Sequence, residues 1–155
     1  MTSRDLINIA GIYEGSDGEA TKALYAELQA LGPIGIVAVN LFRAQKCSAR
    51  AKVYRGRGYR DAAYDRKQWS MDNLVDVLLE HSSLGLTWGW KEDPRAEYHK
   101  WVLYVELPVG QVSFHTLTRG KGPDYPGDWD GRKDVSPGRI CQFVAKVFRE
   151  AEVVA

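Results

Sequence analysis

Nine basic side chains lie between positions 43 and 67: Arg43, Lys46, Arg50, Lys52, Arg55, Arg57, Arg60, Arg66 and Lys67. Only Asp61 and Asp65 oppose them, a surplus of seven positive charges in a chain whose net charge is +1. The rest of the chain is therefore acidic on balance, and such a local surplus points to a local anionic partner. Tyr54, Tyr59, Tyr64 and Trp69 are interleaved with the basic residues. Guanidinium groups hold phosphate through paired hydrogen bonds, and aromatic rings offer faces on which bases stack. The run Arg55-Gly56-Arg57-Gly58-Tyr59-Arg60 adds two glycines that let backbone approach an anion. Against this stands the plain alternative of a solvated charged surface with no ligand.

A second group of polar residues falls on two apolar segments, WVLYVEL (101–107) and QVSFHTL (111–117). Read as a β-hairpin turning at Val109-Gly110, they pair Glu106 with Ser113 and Tyr104 with His115. Tyr104, Glu106, Gln111, Ser113 and His115 then share one face. Trp101, Leu103, Val105, Val112 and Phe114 share the other. A histidine within diagonal reach of a carboxylate has the makings of a general base with its orienting group, here His115 with Glu106. With His99 nearby, the same face could hold a metal. The alternative is a sheet face that is simply wet.

The third group is acidic: Asp124, Asp128, Asp130 and Asp134 in a segment (118–135) rich in glycine and proline. It lacks the ligand spacing of a calcium loop, so a turn at Asp130-Gly131 is expected, within a loop able to fold over the hairpin as a lid. No phosphate-binding loop, dinucleotide fingerprint or nucleophile elbow occurs. Glu106 is followed by Leu107-Pro108, so the Glu-x-Lys of restriction-type nucleases is missing. No motif calls for a cofactor. Cys47 and Cys141 stand 94 residues apart, which fits neither a zinc ribbon nor a disulfide framework, and a reducing, cytoplasmic setting follows. No apolar run is long enough to span a membrane, and the N-terminus has no secretory pattern.

These residues need elements to hold them. A capping box, Ser16 to Glu19, opens a helix over 17–31, which Gly32 and Pro33 end. Ile34 to Val39 reads as a buried strand by composition, so residues 34–40 are open between strand and helix. The helix over about 34–54 is favoured because Val37, Leu41, Ala44, Ser48 and Ala51 recur as one face, with Arg43, Lys46 and Arg50 on another. Residues 55–69 carry two glycines and no period, and are expected as a loop. A helix starts with Ser70 as N-cap, Asp72 in its first turn and a Trp69–Leu74 staple. Leu74, Val77, Leu78 and His81 form its face, up to Gly85. Leu86, Trp88 and Trp90 alternate as a strand. Leu6 to Tyr13 is a strand or a helical turn. A last helix begins with Ser136 and Pro137 and buries Ile140, Phe143, Val144, Val147 and Phe148.

Hydrophobic residues make up 45% and charged residues 26% of the 155 positions, the balance of one globular domain spanning 1–155. The fold class expected is α+β, with about four helices packed on a small antiparallel sheet built around the C-terminal hairpin. The stretches LFRAQKCSARAKVY (41–54) and WVLYVELPVGQVSFHT, followed by GPDYPGDWDG, resemble those of small uncharacterised proteins encoded by phages and bacteria. That resemblance implies a phage-linked accessory role, such as acting on host defence or nucleic-acid metabolism, and assigns no residue a task.

Three functional expectations follow. The leading one is a binding protein for a nucleotide or nucleic-acid phosphate, held by Arg43, Lys46, Arg50, Arg55, Arg57 and Arg60, with Tyr54 or Tyr59 stacking. Tyr104, Gln111 and Ser113 would line a polar pocket for the rest of the ligand. The second is a phosphodiesterase or nuclease centred on His115 and Glu106. The third is a module that binds another protein through exposed tryptophans.

Overall fold

The computed structural model describes residues 2–11, 18–58, 60–93, 101–116 and 137–154. Among them are five helices, a short 3₁₀ turn and a three-stranded antiparallel sheet, an α+β arrangement. The helix count exceeds the four expected, because the apolar N-terminal stretch forms α1 (Ser3–Ala10). Thr2 and Asp5 close a capping box at its start, and Gly11 ends it in the left-handed conformation at φ 59°.

The second helix, α2, runs from Glu19 to Ala30. Its N-cap is Gly18, with no side-chain cap, so Glu19 occupies the first helical position rather than the third. There it pairs with Lys22 at 3.6 Å. The expected capping residue Ser16 lies outside the described residues. Gly32 adopts φ 92° just beyond α2, as the helix-ending glycine should, and Pro33 opens α3.

The long helix α3 (Pro33–Gly56) follows its small apolar stripe closely. Val37, Leu41 and Ala44 are fully buried, and Ala51 and Ser48 nearly so. At Gly35 α3 lies directly against the backbone of α2. A Cβ there would stand 1.6 Å from the Leu28 carbonyl oxygen, so no larger residue fits without parting the helices.

The segment expected as a loop is mostly helix. α4 spans Arg60–Glu80, beginning soon after α3 ends at Gly56. Ser70 is thus interior to α4, and its hydroxyl donates back to the Lys67 carbonyl at 3.0 Å. Asp72 accepts a 2.8 Å bond from Gln68 one turn earlier, and Trp69 is 64% exposed instead of stapled. Met71, Leu74, Val75 and Leu78 carry α4 into the core. Its principal packing partner is α3.

The sheet consists of β1 (Trp88–Glu92), β2 (Trp101–Leu107) and β3 (Gly110–Thr116), in the order β1-β2-β3. The centre of the sheet is therefore β2, flanked on both sides, and not the C-terminal hairpin around which the sheet was expected to be built. The hairpin turn is Pro108-Val109, closed by the Leu107–Gly110 pair. The proline supplies the φ of about −65° that the first corner of a turn requires. This register differs from the expected one by two residues: Glu106 faces Gln111, Tyr104 faces Ser113, and Val102 faces His115. An even shift keeps every side chain on its expected face. Val112 and Phe114 are buried accordingly. Gly110, at φ 133°, lies against the Arg139 guanidinium, which donates to the Val109 carbonyl.

The last helix, α5 (Pro137–Val154), buries Ile140, Cys141, Phe143, Val144 and Val147. It is the main partner of α1 and also packs on α3 and β3. One apolar core joins the inner faces of all five helices to Trp90, Leu103, Val105, Leu107, Val112 and Phe114 of the sheet. No helix among the described residues is long and apolar enough to cross a membrane.

Candidate functional site

The basic residues expected to hold phosphate divide by burial. Arg43 is exposed and stacks over the Tyr25 ring, 5.2 Å from its centroid, so it also ties α3 to α2. Lys46 is only 4% exposed, which removes it from any surface that meets a ligand. Arg50 and Tyr54 are half-buried, and Arg57 is exposed just past the end of α3. Arg55 belongs to α3 and Arg60 opens α4, while Tyr59 lies outside the described residues. The two helices turn back on each other here. From Lys52 to Trp69, none of the described side chains is buried. Val53 and Trp69, at 47% and 64% exposure, add apolar surface to this distal part of the hairpin. Of the described tryptophans, Trp69 alone is exposed; Trp90 is buried, and Trp88 and Trp101 are half-buried.

The second set lies on the outer face of the sheet, away from the helical core. It is not the wet surface that an uncovered antiparallel sheet would present. Tyr104, Gln111 and Ser113 are all completely buried, as is Val102, and neither Val102 nor Tyr104 belongs to the continuous apolar core. Glu106 is occupied by its cross-strand neighbour: Gln111 donates to it through Nε2 at 2.5 Å. It does not orient His115. That place is taken by Asp93, the residue after β1, whose Oδ2 lies 3.3 Å from His115 Nε2. The Asp93 side chain is fully buried, and that of His115 keeps 23% of its surface. A carboxylate denied water beside an imidazole that still meets it is an arrangement suited to moving a proton.

On this face Ser113 Oγ and Gln111 Oε1 are buried without a hydrogen-bond partner among the described residues. Buried polar atoms are nearly always paired, so such a couple asks for a partner from outside. Asp93 had no sequence signal of its own. It sits at the edge of a charged segment, and only the pairing of β1 with β2 brings it near β3. His99 and the acidic residues from Asp124 to Asp134, with the lid they suggested, lie outside the described residues. Among the described residues no cluster of three or more His, Cys, Asp or Glu could hold a metal ion. A cavity of about 460 Å³, lined by Thr2, Ser3, Val109, Gln142, Ala145 and Arg149, includes none of the expected site residues.

Comparison with known proteins gives no match to a protein-family model, a curated protein or a solved structure. The expected likeness to phage-encoded chains finds no support in these comparisons.

Proposed function

We propose that this chain is a binding protein for a phosphate-bearing ligand, engaged by the distal part of the α3–α4 hairpin. The observation that carries this reading is the coincidence of charge with exposure. The hairpin extends over residues that bury no described side chain, and those residues hold most of the basic surplus. Residues 60–69 of α4 span about 15 Å, enough to meet several successive phosphates, which favours a nucleic acid over a mononucleotide. Arg50 and Arg57, with Arg55 and Arg60, supply the cations. Trp69 offers a ring on which a base can stack, a task the sequence pattern gave to Tyr54 or Tyr59. The sheet's outer face, with the carboxylates of Asp93 and Glu106, is a poor host for phosphate, so the hairpin is preferred to a phosphodiesterase centred on His115 and Glu106. Nucleic-acid contact of this kind also suits a phage-linked accessory role.

Binding to single-stranded and double-stranded oligonucleotides, measured by fluorescence anisotropy across a salt series, tests the proposal. Affinity should fall steeply with salt as counterions are released. Arg55→Ala with Arg57→Ala should weaken binding to all sequences alike, and removing each phosphate-binding cation should flatten the log–log salt slope by about one. Trp69→Ala should weaken single-strand binding with the salt slope unchanged. Absence of binding at low salt, or binding indifferent to salt, would remove the reading and leave Trp69 as a docking point for a protein partner.

A further inference from the structure

We propose that the buried outer face of the sheet is a hydrolytic site for an uncharged carboxamide, with His115 as base, Asp93 as its positioning residue, and Ser113 and Gln111 as the groups that hold the amide. It rests on different residues and a different element from the proposed phosphate site, and either can fail without the other.

The argument begins with spacing. Gln111, Ser113 and His115 alternate along β3 and share one face, each about 7 Å from the next along the strand. Gln111 has committed its amide nitrogen to Glu106, so what it has left is an acceptor, Oε1. Ser113 has a hydroxyl able to donate. An acceptor beside a donor is the complement of a group that carries an N–H beside a carbonyl, and a carboxamide is that group. An anion suits the row badly: Gln111 Oε1 would repel it, and so would the carboxylates of Asp93 and Glu106. The imidazole at the end of the row is its solvent-reached member.

The chemistry balances with water alone. His115 takes a proton from a water molecule as the water oxygen bonds to the amide carbon. The Ser113 hydroxyl donates to the carbonyl oxygen as charge gathers there, a contribution that grows in a buried setting. The tetrahedral centre then collapses, the C–N bond breaks, and the imidazolium gives its proton to the leaving nitrogen. A carboxylic acid and an amine result, and nothing is oxidised or reduced. Asp93 acts through His115, holding the ring and stabilising its charged form.

Turnover of p-nitrophenyl acetate, which reports a working base whatever the natural amide, is measured first, with p-nitroacetanilide and bis(p-nitrophenyl) phosphate alongside. The full chain should hydrolyse the ester about 10²-fold faster than His115→Gln, the span of a positioned general base. Ser113→Ala should lose about 10²-fold in kcat with KM nearly unchanged, as the loss of a carbonyl donor does. Asp93→Asn should also lower kcat and spare KM, a split that general loosening of the fold would not give. Added imidazole should raise turnover by His115→Gln above that of imidazole alone, which separates loss of the base from loss of the fold. Equal rates for the full chain and His115→Gln would overturn the proposal. So would turnover of the phosphodiester in preference to both acyl probes, since the acceptor row would then not select an uncharged substrate.

Discussion

Cys141 lies on the buried face of α5, and burial pushes its thiol up to about 12 from an ordinary 9. The folded chain keeps the proton where the unfolded chain gives it up. Its contribution is therefore complete below pH 9 and is lost as pH rises from there towards 12. At pH 10.5 the loss should reach about 2 kcal/mol, read as a larger fall in urea midpoint than Cys141→Ala shows over the same pH range. Iodoacetamide should modify half-buried Cys47 first and reach Cys141 only on unfolding. At the same scale, legibility was uneven. Ser113 and Gln111 were found through the alternation of β3, which depends only on neighbours in sequence. Asp93 was not, because its relation to His115 exists only after three strands have paired. Ser70 misled for a local reason. A serine hydroxyl satisfies a cap or bonds back to the preceding turn of a helix, and the sequence around it supports both.

Among the elements, α4 was the hardest to see, and α3 was ambiguous only at its start, where Ile34 to Val39 has the composition of a strand. Val37, Leu41, Ala44, Ser48 and Ala51 keep a helical period throughout, and α3 is straightforwardly buried along it. The first half of α4 keeps no such period because it buries none of its described side chains before Ser70. Amphipathicity, the signal that marks a helix, is absent where a helix has no core to face. The two glycines of 56–58 mark the turn correctly, but the turn itself is only a few residues long. Register has a similar history: the glycine of Val109-Gly110 drew the turn to itself, while Pro108 holds it one place earlier. The close approach of α3 to α2 at Gly35 supplies a test. Gly35→Ala would drive a methyl into the Leu28 carbonyl and push α2 off α3. A cost of about 3 kcal/mol is expected in urea unfolding, at the upper end for overpacked sites. Gly18→Ala, which meets nothing within 4 Å, serves as the control.

At the scale of the molecule, the core and the charged hairpin tip are separable. Every described buried residue of α3 precedes Lys52, and every described buried residue of α4 follows Trp69. Replacing residues 52–69 with a short glycine-containing turn should therefore leave the cooperative unfolding transition in place, with a urea midpoint close to that of the full chain. Oligonucleotide binding should disappear in the same variant. A broad, non-cooperative transition would show instead that the hairpin tip supports the core. The α+β class was legible from periodicity because helical and strand segments alternate with clear apolar faces. The number of helices was not, since α1 is eight residues long and too short for its period to exclude a strand.

The packing of α1 on α5 has a consequence in time. α1 leaves the ribosome well before α5, with about 6–25 s of synthesis between them. Through that interval Leu6 and Ala10 have their principal helical partner still unmade. The packing of α1 on α5 has a long loop to close, whereas α3 and α4 follow each other closely, α3 ending at Gly56 and α4 beginning at Arg60, and assemble as soon as they emerge. A nascent chain halted before Pro137 should accordingly protect the amides of the α3–α4 pair from hydrogen exchange while leaving those of α1 open.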